Sequence, residues 1–421
     1  MKRKKCLIAL LLLVVLSACS SYVESRDDNP PQNGTEISED THGEQYGKII
    51  NISKSSYACS KDGVYELRSL YPNSVNIIYT DFEKAQTLVL CGQPNCTHNS
   101  SCVSYIPIEE GNLEPTIMCN NECLIIVKEG AGPTESPYVA VAELNGSDRH
   151  VVTTYKSNQL LQGDFLANSR YFYLIVQEVD DNGVPSFSLQ EIDLQHDRNI
   201  ELIQLPNTDK MYALMGAYGG SVFLLEMDTN NVNGERKIYE IDPANPNLNN
   251  IFLCYNAEQE YVLVEDPFLY IMQKEGNNVT RVLLSKDGED KEQGYTSMEN
   301  QDKISYLFDT DAYKTLLEPS SDGNAFIYEY YNEGELRKTY LNFETGDTRE
   351  IILTSKYSKK PMQILATYKN RYFVLYDRKE KALEADNGNS YGVAFENQYA
   401  LISMNNYISG EPEFEFIRDT V

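Results

Sequence analysis

The feature that most limits what this chain can fold into is a pattern that recurs seven times along its length. Each copy is an alternating strand-like run, a small polar or acidic residue, an apolar residue and a polar turn. Clear examples are Ile78-Tyr79-Thr80-Asp81-Phe82, Gln190-Glu191-Ile192-Asp193-Leu194 and Tyr340-Leu341-Asn342-Phe343. Asp81, Glu143, Asp193, Asp242, Ser285, Asn342 and Ser403 take the same place in successive copies. The spacing is shortest from Asp242 to Ser285, at 43 residues, and longest from Asp81 to Glu143, at 62. An apolar run precedes each copy, as in Tyr171-Phe172-Tyr173-Leu174-Ile175-Val176 and Tyr372-Phe373-Val374-Leu375-Tyr376. Turn signals such as Asn182-Gly183, Asn233-Gly234, Glu275-Gly276 and Glu333-Gly334 lie between the two runs. There are 31 Tyr and no Trp, and no long amphipathic helical pattern.

A unit of about four short strands at this period cannot bury both its faces alone, and radial stacking buries them. The pattern therefore predicts an all-β fold, a single β-propeller over residues 47–421. Seven blades are expected, with six or eight as alternatives because the first and last units are the weakest. A pair of β-sandwiches is the competing architecture, but it has no natural place for seven similar units. Residues 47–60 are expected to supply a strand that closes the ring against the C-terminal blade.

The N-terminal residues carry an address. Lys2, Arg3, Lys4 and Lys5 precede an apolar run from Cys6 to Leu16 that is too short to span a bilayer. The following Leu16-Ser17-Ala18-Cys19 resembles the lipobox of bacterial lipoproteins. That resemblance implies a signal peptide over residues 1–18 and a thioether-linked diacylglycerol on Cys19. It also implies palmitate-type acyl chains and a protein anchored to the extracytoplasmic face of the cell membrane. The alternatives are an ordinary secretory leader with an incidental cysteine, or an uncleaved anchor. Residues 19–46 hold Glu24, Asp27, Asp28, Glu36, Glu39, Asp40 and Glu44 against Arg26 alone, with Pro30-Pro31. Such a segment cannot bury a core and reads as a disordered tether. At about 3 Å per residue it would reach on the order of 80 Å from the bilayer.

With 36 Lys and Arg against 63 Asp and Glu the net charge is −27, and losing the four basic residues of a leader takes it to −31. Nucleic acid is a poor partner for such a chain, because neutralising phosphates needs clustered cations. Solubility at the cell exterior is the simplest reading of the charge.

Beyond Cys19 there are seven cysteines: Cys59, Cys91, Cys96, Cys102, Cys119, Cys123 and Cys254. Cys91, Cys96, His98 and Cys102 place three thiols and an imidazole within twelve residues, enough for a closed tetrahedral zinc site. Disulfides are the alternative in an exported protein, and Cys119 with Cys123 could pair across a tight turn. Either would fix the loop after the first blade. Together with the leader, the acidic tether and the Tyr-rich repeats, the Cys-x-x-Pro-x-Cys-x-His stretch resembles the cell-surface propeller lipoproteins of Gram-positive (Firmicutes-type) gut bacteria. Their domains are TolB-like and of unknown function. The resemblance implies a surface location and a propeller, and it offers no catalytic residues.

No nucleophile elbow, His-Glu-x-x-His or phosphate-cradling glycine loop occurs. His42, His150 and His196 sit in polar stretches and are expected to be exposed. The pairs Glu109-Glu110, Asp180-Asp181 and Glu289-Asp290 read as solvated loop charge. Asp228 to Glu235 breaks the calcium-loop pattern and reads as a polar hairpin. Tyr295, Tyr391 and Tyr407 are candidate sugar-stacking loop residues. The expectation is a non-enzymatic binding module for a glycan, peptide or envelope protein. A polysaccharide- or peptidoglycan-active hydrolase or lyase is the first alternative, and a structural accessory lipoprotein of an envelope complex is the second.

Overall fold

The computed structural model describes residues 49–421 apart from 53–56, 109–113, 131–135, 207–208, 266–267, 274–277, 285–290, 294–314, 320–324, 333–334, 343–344, 346 and 385–389. The leader, Cys19, the tether, His42, Ser285 and Tyr295 lie outside the described residues, as do Glu109-Glu110 and Glu289-Asp290. The described chain is all-β, with seven sheets and one short helix. Among the described residues, no helix is long and apolar enough to cross a membrane.

Each sheet contains a meander of four strands paired antiparallel in chain order, and the first and third carry additional strands. The first comprises Tyr57–Cys59, Gly63–Arg68, Ser74–Asp81 and Gln86–Val89. The second comprises Thr116–Cys119, Cys123–Lys128, Tyr138–Glu143 and His150–Thr154. The third comprises Gln159–Ala167, Tyr171–Val179, Pro185–Asp193 and Arg198–Leu205. The fourth runs from Lys210–Tyr218 to Ile251–Asn256, the fifth from Glu260–Glu265 to Lys291–Gln293, and the sixth from Thr315–Pro319 to Thr348–Glu350. The seventh comprises Gln363–Tyr368, Arg371–Glu384, Ser390–Ser403 and Phe414–Phe416.

Continuous apolar runs, rather than apolar–polar alternation, mark the second strands because both faces of each sheet are covered. Along Tyr171–Val179, Phe172, Leu174 and Val176 pack toward the second sheet. Tyr171, Tyr173 and Ile175 pack toward the fourth. The same alternation joins the first sheet to the second through Ile77 and Leu124, and the fourth to the fifth through Leu225 and Val262. Ile327 of the sixth sheet packs with Val374 of the seventh, and Val64 and Phe82 of the first pack with Phe373 and Leu401 of the seventh. The first and last sheets thus share a core although Phe82 and Phe373 lie far apart in sequence.

The polar mark of the repeat has a local physical cause. It sits where the third strand of a sheet ends, and its side chain accepts a hydrogen bond that closes the turn. Asp81 Oδ1 accepts from the Lys84 amide at 2.9 Å, Asp193 Oδ1 from Gln195 at 3.1 Å, and Asp242 Oδ1 from Ala244 at 2.9 Å. Asn342 Oδ1 accepts from the Thr345 amide at 3.0 Å, and Glu143 Oε2 from the Ser147 hydroxyl at 2.6 Å. Ser403 does the same as the N-cap of the helix Met404–Ser409, with Gly410 ending it at φ 81°. At the neighbouring turn on the same end, between first and second strands, Asn120 Oδ1 accepts from the amides of Glu122 and Cys123. Its amide group donates to Asn168 O at 2.7 Å, and Lys61 N donates to Asn121 Oδ1 at 3.2 Å, so these turns of the first three sheets lie on one rim.

Among the described residues, 47–60 add no strand to the seventh sheet, where the sequence puts one. Ile50–Ile52 joins the third sheet, antiparallel to Gln159–Ala167 on the edge away from Tyr171–Val179. Ile49 is buried there with Tyr212 and Leu214 of the fourth sheet. Tyr57–Cys59 stays in the first sheet and meets the seventh only through side chains. The strand that returns to the first sheet is Arg418–Asp419, which pairs parallel with Gln86–Val89. Arg418 N donates to Ala85 O at 2.9 Å and Thr420 N to Thr87 O at 3.1 Å.

Candidate metal centre

The loop after Val89 folds back on the sheet it leaves. Leu90 N bonds Ile77 O, Ile77 N bonds Ser104 O, and the strand Tyr105–Pro107 pairs with the start of Ser74–Asp81. Within this frame Asn95 and His98 take positive φ values of 58° and 57°, a conformation that asparagine and histidine tolerate better than most residues. Buried Asn76 donates from Nδ2 to His98 O at 2.8 Å and to Ser104 Oγ at 3.0 Å. The Tyr71 hydroxyl donates to Thr97 O. Arg149 of the second sheet donates to Val103 O and Tyr105 O.

These restraints turn four side chains inward. One donor atom each from Cys91, Cys96, His98 and Cys102 lie within 4.8 Å of one another. A tetrahedral zinc with Zn–S bonds near 2.3 Å needs ligand separations of about 3.8 Å, so a small contraction suffices. His98 Nδ1 stands 3.5 Å from Cys102 Sγ, and the Ser104 hydroxyl is 3.1 Å from the same sulfur. The amides of Gln93 and His98 donate to the sulfurs of Cys91 and Cys96 at 3.5 and 3.3 Å. Donors aimed at sulfur are the outer contacts that a thiolate ligand needs. Burial pushes the Cys91 thiol up to about 11. Burial also opposes a charge on Cys102, but hydrogen bonds from Ser104 and His98 outweigh it and bring that thiol down to about 6. Three cysteines and one histidine, one of them already favouring the thiolate, fit a borderline-soft divalent ion and suit a closed structural site.

The remaining cysteines are separate. Among the described residues, no disulfide joins any two of the seven cysteines. Cys119 packs into the core between the first and second sheets, whereas Cys123 packs into the one between the second and third. They point to opposite faces of their sheet, so the pairing expected across this turn is not formed. Burial pushes Cys119 up to about 12 and Cys123 to about 11, which makes both inert. Cys59 donates to Leu365 O of the seventh sheet at 3.4 Å, and Cys254 is exposed.

Of the other residues singled out in the sequence, His150 and His196 are exposed, as expected. His150 lies 2.8 Å from Asp148 O and 3.2 Å from Asp197. Asp180 caps its own turn through the amides of Asn182 and Val184, and Asp228 caps through Asn230. Tyr407 is not a loop residue open to a sugar. It is fully buried in the short helix and donates to Met362 O at 2.6 Å.

Two polar clusters join residues that the sequence did not connect, because each has members from separate strands. Between the first and seventh sheets, the Tyr399 hydroxyl donates to Glu66 Oε2 at 2.6 Å and lies 3.2 Å from the Tyr57 hydroxyl. Asn397 donates to both phenols, and Arg68 pairs with Glu66 and, at 2.8 Å, with Asp419. Burial and the Glu66 carboxylate push Tyr57 up to about 12, so it stays a neutral donor. In the third sheet, Asp193 Oδ2 accepts from Arg170 at 2.7 Å and lies 2.9 Å from His196 Nδ1, beside a groove of about 400 Å³. Burial opposes the charge on Asp193, but hydrogen bonds from Arg170 and His196 prevail and hold its pKa near 2.

No family model and no curated protein matches this sequence. Solved structures do resemble the fold. An acylaminoacyl peptidase in complex with a chloromethyl ketone is 13% identical with a TM-score of 0.51, over 88% of this chain and 52% of its own. Acylaminoacyl peptidase from Pyrococcus horikoshii is 13% identical with a TM-score of 0.50, over the same shares. An oligogalacturonate lyase from Vibrio parahaemolyticus is 13% identical with a TM-score of 0.48, over 74% of this chain and 80% of its own. The chain spans about half the length of the peptidases. At such identity the likeness shows a fold, the β-propeller-like all-β architecture, and nothing of an activity.

Proposed function

We propose that this protein is a lipoprotein of the extracytoplasmic membrane face, of the Gram-positive surface type, that presents a recognition module. Acylated Cys19 is the anchor and residues 19–46 are the leash. Residues 47–421 form one closed ring of seven blades, with zinc held by Cys91, Cys96, His98 and Cys102. The core shared by the first and seventh sheets and the strand Arg418–Asp419 support closure.

The observation that carries the binding reading is the place of Ile50–Ile52. It lies on the edge of the third sheet beyond Gln159–Ala167, with Ile49 packed against the fourth, and in a closed ring that edge is the inner one, where the chain itself would fill part of the central channel. A channel filled in this way favours a ligand bound across the loops of a rim over a small substrate in the centre. Ile50 pairs with Ala167, next to the turn bearing Asn168, so the chain enters from that rim. The Cys91–Cys102 loop leaves the far end of its sheet, toward the opposite rim. That rim faces away from the membrane and is the one offered to a glycan, peptide or envelope protein.

The test is capture of envelope glycans and proteins on the purified protein, with turnover assayed on whatever binds. Retention of a glycan, peptide or protein without turnover supports the proposal. Turnover of a retained polysaccharide or peptidoglycan would replace it with the hydrolase or lyase reading. Retention of nothing would sink it and leave an accessory structural role.

A further inference from the structure

We propose that metal occupancy of the Cys91–Cys102 loop governs how firmly the strand Arg418–Asp419 holds the first sheet, and hence the ring's closure. This rests on the zinc reading given above and adds a regulatory consequence to it. The loop and the closing strand share one wall. A cavity of about 340 Å³ is lined by Cys91, Cys96 and His98 together with Leu88, Thr420 and Val421. Both also hang on one strand, Gln86–Val89. Cys91 follows its end by two residues, and its outer edge bonds the closing segment.

The hold on that edge is short. It consists of the two backbone bonds from Arg418 and Thr420, the Thr420 hydroxyl donating to Thr87 O at 2.6 Å, Gln86 Nε2 donating to Thr420 Oγ at 3.1 Å, and Arg418 Nη2 donating to Gln86 Oε1 at 3.1 Å. Arg68 adds its pair with Asp419. A two-residue strand of this kind opens locally far more often than the sheet opens globally. Four donors drawn together by a metal fix Cys91, and with it the end of Gln86–Val89 and the cavity wall against Thr420. Without the metal the wall is a loop of thiols, and the closing strand loses its backing. Coupling between two binding events is reciprocal, so whatever the metal adds to the strand's hold, the strand adds to the metal's affinity.

The experiment uses the full-length protein in mild detergent, reduced and anaerobic, either loaded with one equivalent of zinc or stripped by a chelator. Hydrogen exchange is read by mass spectrometry on residues 414–421, with 198–205 of the third sheet as internal reference. Stripping is expected to speed exchange at Arg418 and Thr420 about tenfold while the reference is unchanged. In the reverse arm, deletion of residues 418–421 removes the strand altogether, and zinc affinity should fall by the same factor, about tenfold. Zinc bound at one equivalent with unchanged exchange at 418–420, or a zinc affinity of the shortened chain equal to the parent's, overturns the coupling alone. No zinc retained by the loaded protein overturns the metal centre and the coupling with it.

Discussion

Phe82→Ala tests whether the first and last sheets close on each other. Phe82 is fully buried, with its ring 5.1 Å from Tyr368 and 5.2 Å from Phe373 of the seventh sheet. Truncation removes the transfer free energy of the ring and leaves a cavity that Tyr368 and Phe373 are too firmly packed to fill. Phe-to-Ala changes in cores cost about 3–5 kcal/mol, and the rigid aromatic walls place this one near 4 kcal/mol. At about 1.4 kcal/mol per decade, that raises the open fraction of the seam nearly a thousandfold. Phe165→Ala, a fully buried ring 5.1 Å from Phe172 between the second and third sheets, is the control for a seam between consecutive sheets. Urea unfolding should show comparable losses for the two variants. Hydrogen exchange should separate them, because only Phe82→Ala frees amides of both 63–68 and 371–376. A loss below about 1 kcal/mol, or exchange confined to the first sheet, would refute the shared core.

Three further outcomes follow from the site geometry. Asp193 is held near 2 against its ordinary 3.8, so the stability it contributes is present above about pH 4 and is lost as pH falls toward 2. The loss is at most about 2 kcal/mol, and a pH series of thermal melts should flatten over this window in Asp193→Asn; an unchanged slope would count against the Arg170–Asp193–His196 cluster. Thiol alkylation of the native, zinc-loaded protein at pH 8 should modify exposed Cys254 first and Cys119 and Cys123 last. Early labelling of Cys119 would contradict its burial. Cys19→Ser should abolish the acyl mass increment and move the protein from the membrane to the soluble fraction, and membrane retention without acylation would remove the anchor.

The fold was legible where the physics is local and repeated. The marks at Asp81, Asp193 and Asn342 recur because every sheet must turn at the end of its third strand, and a short polar side chain closes that turn. The run Tyr171–Val176 is continuously apolar because both faces are covered. The partners of two short strands were not legible. Arg418–Asp419 is two polar residues long and has no period to read, and Ile50–Ile52 gives no hint of its partner in the third sheet. The candidate metal ligands were legible because all four fall within one loop. Thr420 and Val421, which back that loop, were not, because only the fold brings them there. The Cys119–Cys123 pairing was a readable error. In this hairpin Cys119 lies opposite Leu124, so Cys123 has the opposite parity and faces the other side. Tyr407 was another, since Ser403 and Gly410 bracket a helix of one and a half turns that turns the ring inward.

The most direct test of the account is the metal content of the reduced, anaerobically purified protein grown with zinc, read with X-ray absorption at the zinc edge. One zinc per chain is expected, in a three-sulfur, one-nitrogen shell with Zn–S near 2.3 Å. It should be lost in each of Cys91→Ser, Cys96→Ser and Cys102→Ser and retained in Cys254→Ser. A metal-free protein, or one in which Cys91, Cys96 or Cys102 is recovered in a disulfide, would contradict it.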